Sequence, residues 1–266
     1  FKGMTGNIRL YGDPPYRVAV IHGGPGAPGS VAAVARALSR GLGVMEPLQT
    51  ECTLEGQVQE LRETLLRHGL TPVTLIGHSW GAWLAFMVSS RYPDLVRKLI
   101  LVSSAPFREE FVGQLHQKRL SRLEPDEQVE FQELLTRLAT VNAGDKSACL
   151  ERLGALVAKS DNFDVGTIPT DIADAVAVDG DQYQRVWTEA AQLRRSGALL
   201  EMARSISCPV VSVHGDSDPH PALGVKQPLE RVLPSFRFVL LDRCGHSPWK
   251  ERYASERFYA ILREEL

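Results

Sequence analysis

Ser79 stands in the run Gly77-His78-Ser79-Trp80-Gly81, two residues from a glycine on either side. A serine hydroxyl is a weak nucleophile until a base takes its proton, so its chemistry depends on partners elsewhere in the chain. Two later runs supply such partners, acid first and histidine second: His214-Gly215-Asp216-Ser217-Asp218 and Cys244-Gly245-His246. Ser79 as nucleophile, His246 as general base and Asp218 as the carboxylate that orients the imidazole would together attack a carbonyl carbon. Asp216 shares the turn with Asp218 and is the alternative acid. His220 is the alternative base, but it sits between Pro219 and Pro221 beside the acid, too near to be positioned by it across a cleft. Asp242 reads as a turn or capping residue.

An attacked carbonyl develops a negative oxygen, which needs donors already in place. Backbone N–H groups of His22-Gly23-Gly24-Pro25-Gly26 can approach it because glycine leaves the chain uncovered. The expected oxyanion hole is the N–H of Trp80 with that of Gly24, Gly23 being the substitute; His22 is read as structural. Trp80, Trp187 and Trp249 are expected to line an apolar substrate pocket. This chemistry calls for no metal and no organic cofactor. Cys52, Cys149, Cys208 and Cys244 lie far apart without a CxxC pair, so they signal neither a disulfide framework nor zinc and read as reduced, mostly buried thiols.

The elements that must position these groups are visible as short apolar runs alternating with helical patterns. Arg17 to Ile21, Gly43 to Pro47, Val73 to Ile76, Lys98 to Val102, Val210 to Val213 and Phe236 to Leu241 predict strands. Their lack of polar alternation predicts a mostly parallel sheet covered on both faces. Helices are predicted around Val31 to Ser39, Leu54 to His68, Gly81 to Arg91 and Tyr253 to Glu265. The rhythm stops after Pro106 and resumes at Pro209. Between them Phe131, Leu134, Leu135 and Leu138 share a helical face, as do Leu150, Leu153 and Val157, and Tyr183, Val186, Trp187 and Ala190. The expectation is an α/β core over residues 4–106 and 206–266 with a helical cap inserted at 107–205, roofing the carboxyl ends of the strands where ligands bind in open sheets.

The chain has 266 residues, 30 Lys and Arg against 32 Asp and Glu, and a net charge of −2, with both signs scattered. That gives no footprint for nucleic acid or an anionic membrane and points to a small-molecule substrate. No apolar run approaches the roughly 18 residues that span a bilayer, and no signal-peptide pattern opens the chain. A cytoplasmic protein is expected, its natural chain beginning at Met4 after Phe1-Lys2-Gly3.

These residues together resemble the α/β-hydrolase superfamily from Arg17 onward. Within it, His22-Gly23-Gly24-Pro25-Gly26, the Trp after the nucleophile, and Cys244-Gly245-His246-Ser247-Pro248-Trp249 look most like the proline iminopeptidase branch. The resemblance implies a triad at Ser79, Asp218 and His246 and an oxyanion turn at Gly23, Gly24 and Trp80. Two positions depart from that branch: His78 stands where it usually has Gly, and Val44-Met45-Glu46-Pro47-Leu48-Gln49 replaces its Asp-x-x-Gly-x-Gly stretch. The expected activity is hydrolysis of a carboxylic ester or related acyl substrate through an acyl-enzyme. The alternatives are an iminopeptidase-like aminopeptidase, a carbon–carbon bond hydrolase, and a ligand-binding protein of low turnover.

Overall fold

In a computed structural model describing residues 6–140, 143–166 and 176–266, seven strands make one sheet in the order β1-β3-β2-β4-β5-β6-β7. The strands are β1 (Ile8–Tyr11), β2 (Tyr16–Ile21), β3 (Gly43–Pro47), β4 (Gly69–His78), β5 (Val96–Val102), β6 (Val210–Gly215) and β7 (Phe236–Leu241). β1 runs antiparallel to β3, and every other neighbouring pair is parallel. The start of the chain, including Phe1 to Met4, lies outside the described residues.

Alternate residues of a strand face opposite sides of a sheet, and both sides here are apolar. On one side Val18, Val20, Val44, Ile76 and Ile100 pack under α1 (Ala32–Leu38) and α10 (Ser255–Glu265). On the other, Ala19, Ile21, Leu75, Leu99 and Leu101 pack under α2 (Leu54–His68) and α3 (Trp80–Arg91). α3 is buried all round, which is why it has no polar stripe.

β1 has no counterpart among the predicted strands. It is four residues long with Arg9 inside it, too short and too polar to show a period. Its pairing with β3 is supported by the buried Glu46, which accepts a hydrogen bond from Tyr11 Oη at 2.6 Å and lies 3.5 Å from Arg9 Nη1. The Val44 to Gln49 stretch thus begins within β3, which carries the buried carboxylate of Glu46, and runs two residues past its end. α9 (Leu223–Val232) also lacks a predicted counterpart; Pro228 within it breaks the expected pattern.

Between β5 and β6 lie α4 (Val112–Leu120), α5 (Pro125–Thr140), α6 (Ala143–Asp161), α7 (Gly180–Ser196) and α8 (Ala198–Glu201). Phe131, Leu134, Leu138, Leu150, Leu153 and Leu156 form a separate small core, with Leu135, Val157 and Tyr183 against it. α7 belongs to both bodies: Val186 and Ala190 are buried in the core of the sheet. Polar contacts fix it there. Gln182 Nε2 donates to the carbonyls of Gln49 and Glu51, each at 3.0 Å, and Glu189 accepts the Leu54 N–H at the start of α2 at 2.8 Å. Among the described residues no helix is long and apolar enough to cross a membrane.

At the junction of β4 and α3 the backbone leaves no room for side chains. A Cβ on Gly77 would stand 2.2 Å from the Gly81 carbonyl oxygen, and one on Gly81 would stand 2.4 Å from that of His22. Gly81→Ala should therefore force the turn apart and destabilise the fold by about 3 kcal/mol, measured as a lower urea midpoint.

Candidate active site

Ser79 is the residue between β4 and α3, with φ 54° and ψ −114°, a left-handed conformation that non-glycine residues seldom hold. Its N–H donates to the Val102 carbonyl on β5 at 2.9 Å, which ties the turn to the neighbouring strand. Trp80 begins α3, so its N–H has no partner within the helix. Gly23 and Gly24 line the same cavity as Ser79 and Trp80, and a Cβ on Gly23 would lie 3.1 Å from Ser79 Cβ.

The loops after β6 and β7 bring Asp218 and His246 together. His246 Nδ1 donates to Asp218 Oδ2 at 2.8 Å, which leaves Nε2 for the cavity that Ser79 and His246 both line. Asp216, the competing acid, is turned the other way: it accepts the Cys244 N–H at 3.1 Å and the Ser217 hydroxyl at 3.0 Å. His220, the competing base, spends its Nδ1 and its N–H on Asp218 Oδ1, each at 2.9 Å, and stacks on His246 with ring centres 4.3 Å apart.

Asp218 is fully buried. Burial pushes its carboxyl up, but the attraction of His246, His220 and His214 outweighs burial and holds it well below the ordinary carboxylate range. For His246 burial favours the neutral ring, and Asp218 overrides it by charge and hydrogen bond, so the imidazole is raised. Burial and the neighbouring His246 push His220 down to about 4. Two imidazoles on one carboxylate are thereby driven apart, one made more basic and one kept neutral.

His78 Nε2 donates to the His246 carbonyl at 2.9 Å, binding the turn at Ser79 to the histidine loop. Trp249 sets its edge against His78 and packs on Phe258 within the core. It is not part of the cavity wall, unlike Trp80 and Trp187. Trp187 lies nearly parallel between Trp83 and Tyr183 and edge-on to Trp80.

The cavity holds about 510 Å³, within the roughly 300–1,000 Å³ usual for small-molecule sites. Leu115, Leu150, Leu153 and Val157, from the helices between β5 and β6, line it. Its two arginines are paired: Arg119 with Asp161, and Arg194 with Glu109 while lying over Trp83. Asp161, His220 and His246 bring ligand-type atoms within 4.8 Å of one another. Arg119 occupies both oxygens of that carboxylate and Asp218 holds His246, so the cluster is an ion-pair network rather than a cradle for a cation.

Arg119, Asp161 and Glu251 carry no sequence signal of their own. Glu251, buried, accepts the N–H groups of Gly245 at 2.9 Å and of Phe163 and Asp164 at 2.8 Å each, fastening the histidine loop to the chain after α6. A Glu five residues after His246 is not by itself distinguishable from a surface residue.

Residues 16–253 match the sequence profile of the alpha/beta hydrolase fold family, and the chain belongs to it. Ethanol acetyltransferase 1 of Cyberlindnera fabianii is 29% identical over 55 residues, covering 21% of this chain; the chain thus spans only 16% of that relative's length. Among solved structures, VinJ is similar with a TM-score of 0.72 and 20% identity, over 97% of this chain and 93% of its own. Proline iminopeptidase of Mycobacterium smegmatis gives a TM-score of 0.63 and 16% identity over the same shares. At such identities the likeness is one of fold.

His22, buried beneath the glycine turn, is pushed down by burial to about 4. It is neutral when folded, whereas the unfolded chain binds its proton near the ordinary value of about 6.5. Its contribution to stability is therefore present above about pH 6.5 and lost as pH falls toward 4; His246, being raised, acts in the opposite sense. Between neutral pH and about pH 5, His22→Gln should remove about 2 kcal/mol of the pH dependence of unfolding, read from urea midpoints of both proteins.

Proposed function

We propose that this member of the alpha/beta hydrolase fold family is a serine hydrolase acting on a carboxylic ester or related acyl substrate whose acyl part is bulky and apolar. The observation that carries this reading is the 2.8 Å contact of a fully buried Asp218 with His246 Nδ1, at the floor of the cavity that Ser79 enters from its strained turn. In the proposed reaction Ser79 Oγ attacks the carbonyl carbon as His246 Nε2 takes its proton. The N–H groups of Trp80 and Gly24 receive the oxyanion, with Gly23 beside them. The imidazolium passes its proton to the leaving oxygen, and a water activated by the same ring then frees the acyl group from Ser79.

The cavity supports the apolar acyl part. Its two arginines are paired within the protein, Glu151 stands exposed on its lining, and most of the rest is aliphatic side chain with Trp80, Trp187 and Tyr183. Burying each methylene of a substrate there is favourable by about 0.8 kcal/mol. Acyl chemistry also agrees with the name of the acetyltransferase that the chain resembles over 55 residues. The same residues would serve acyl-enzyme formation in each case, which makes the finer choice a matter of substrate.

Wild type and Ser79→Ala should be incubated with a fluorescent fluorophosphonate and then assayed on p-nitrophenyl esters of graded length and on proline-naphthylamide. Labelling of wild type alone is expected, with ester hydrolysis at least about 10³-fold lower in Ser79→Ala and the circular dichroism unchanged. An active or labelled Ser79→Ala protein would refute the assignment. Preferred cleavage of the naphthylamide would make the protein a peptidase, and a single turnover with tight retention of ligand would make it a binding protein. Trp187→Ala should cost about tenfold in kcat/KM on the longest ester and less on acetate.

A further inference from the structure

The reaction above makes no use of a group of cationic side chains at the end of α4. Lys118 Nζ donates to the carbonyl of Asp218 at 3.2 Å. Arg122, just beyond the helix, reaches the carbonyl of Ser217 with one amino group at 2.7 Å and that of Ser160 with the other at 2.9 Å. The last carbonyls of a helix have no donor within it, and those at the end of α6 are taken from outside: Ser160 by Arg122, Asp161 by the His246 N–H at 2.8 Å. The Asp161 carboxylate is buried and gripped by Arg119, Nε to Oδ1 at 2.8 Å and Nη2 to Oδ2 at 2.5 Å. Ser160 Oγ adds a hydrogen bond at 3.0 Å. The turn of the acid, the loop of the base and the end of α6 therefore meet on one cationic stretch of the cap.

We propose that the Arg119–Asp161 pair, carried on two cap helices, is a positioning element for His246. Asp161 fixes the histidine loop through its carbonyl, and the two opposite charges of the pair adjust how readily the imidazole takes a proton. The catalytic meaning of this rests on the acyl-transfer reading of His246.

The surroundings of that ring are all close by. Asp218, His220 and His214 face it from the end of β6 and the loop that follows, and His78 from the end of β4. Asp161 and Arg119 face it from the cap, Lys118 holds the Asp218 carbonyl, and Glu251 holds the N–H of Gly245 next to it. Burial lowers the ring's affinity for a proton, Asp218 and then Asp161 raise it, and Arg119 lowers it. The charges on the pair thus act on His246 in opposite directions.

The test is an NMR titration of the imidazole nitrogens, with His246 assigned from a His246→Gln protein, in wild type, Asp161→Asn, Arg119→Gln and the double variant. Asp161→Asn should move the His246 midpoint down and Arg119→Gln should move it up, each by about one pH unit, with the double variant returning toward wild type. Asn keeps the shape and the backbone carbonyl of Asp, so a purely structural role would leave its midpoint in place. Arg119→Lys should fall between wild type and Arg119→Gln. Midpoints that do not move, or that move in the same direction in both single variants, overturn the proposal. The titration needs no turnover, so failure of Ser79 labelling would sink the hydrolase reading without touching this one. Where both hold, the acidic limb of kcat/KM should follow the NMR midpoints.

Discussion

A carboxylate sealed from water at position 218 must have its charge answered, and most of the site is the answer. Both of its oxygens are occupied by histidine donors, and a third histidine lies 3.6 Å away. Because one imidazole is tilted toward the cation and the other held neutral, the negative charge is matched without loading the pocket with two positive rings. The same arrangement fixes the tautomer of His246, since an Nδ1 that donates to Asp218 leaves Nε2 to accept.

The second constraint is steric. Ser79 holds an unfavourable backbone conformation because β4 and α3 pass too closely for any alternative, and glycines on both sides permit that approach. His78 then links this turn to the His246 loop, and Glu251 links the loop to the chain after α6. Ser79, His246 and Asp218 sit after three separate strand ends, so their spacing is inherited from the sheet and trimmed by these few hydrogen bonds.

Much of this was legible in the sequence for an identifiable reason. Tight turns and close packing demand glycine, and strands buried on both faces demand unbroken apolar runs; both demands show in the order of residue types. β3, α2 and β7 have the bounds their residues predict. Asp218 against Asp216 was not decidable, because two positions in one turn differ only in the direction of a side chain. Arg119 and Asp161 were invisible for another reason: they are 42 residues apart on helices whose mutual packing determines whether they meet. Trp249 shows the limit of inference from neighbourhood, since a residue three positions from His246 turns its ring into the core instead of the cavity. β1 and α9 escaped because a charged four-residue strand and a helix containing proline each contradict the local preference that pattern reading relies on.

The double membership of α7 bears on how this architecture can be altered. Its Tyr183 packs against the small core of α5 and α6 while its Val186 and Ala190 fill the core of the sheet, and Glu189 finishes the start of α2. A segment that looks in the sequence like a cassette between two strands is therefore not freely exchangeable. Transplanting a foreign lid in place of everything between β5 and β6 would strip the sheet of part of its own interior. Recombination that respects the physics would keep α7 with the body of the protein and vary only the helices before it, so pocket shape can diversify while the foundation beneath Ser79 stays whole.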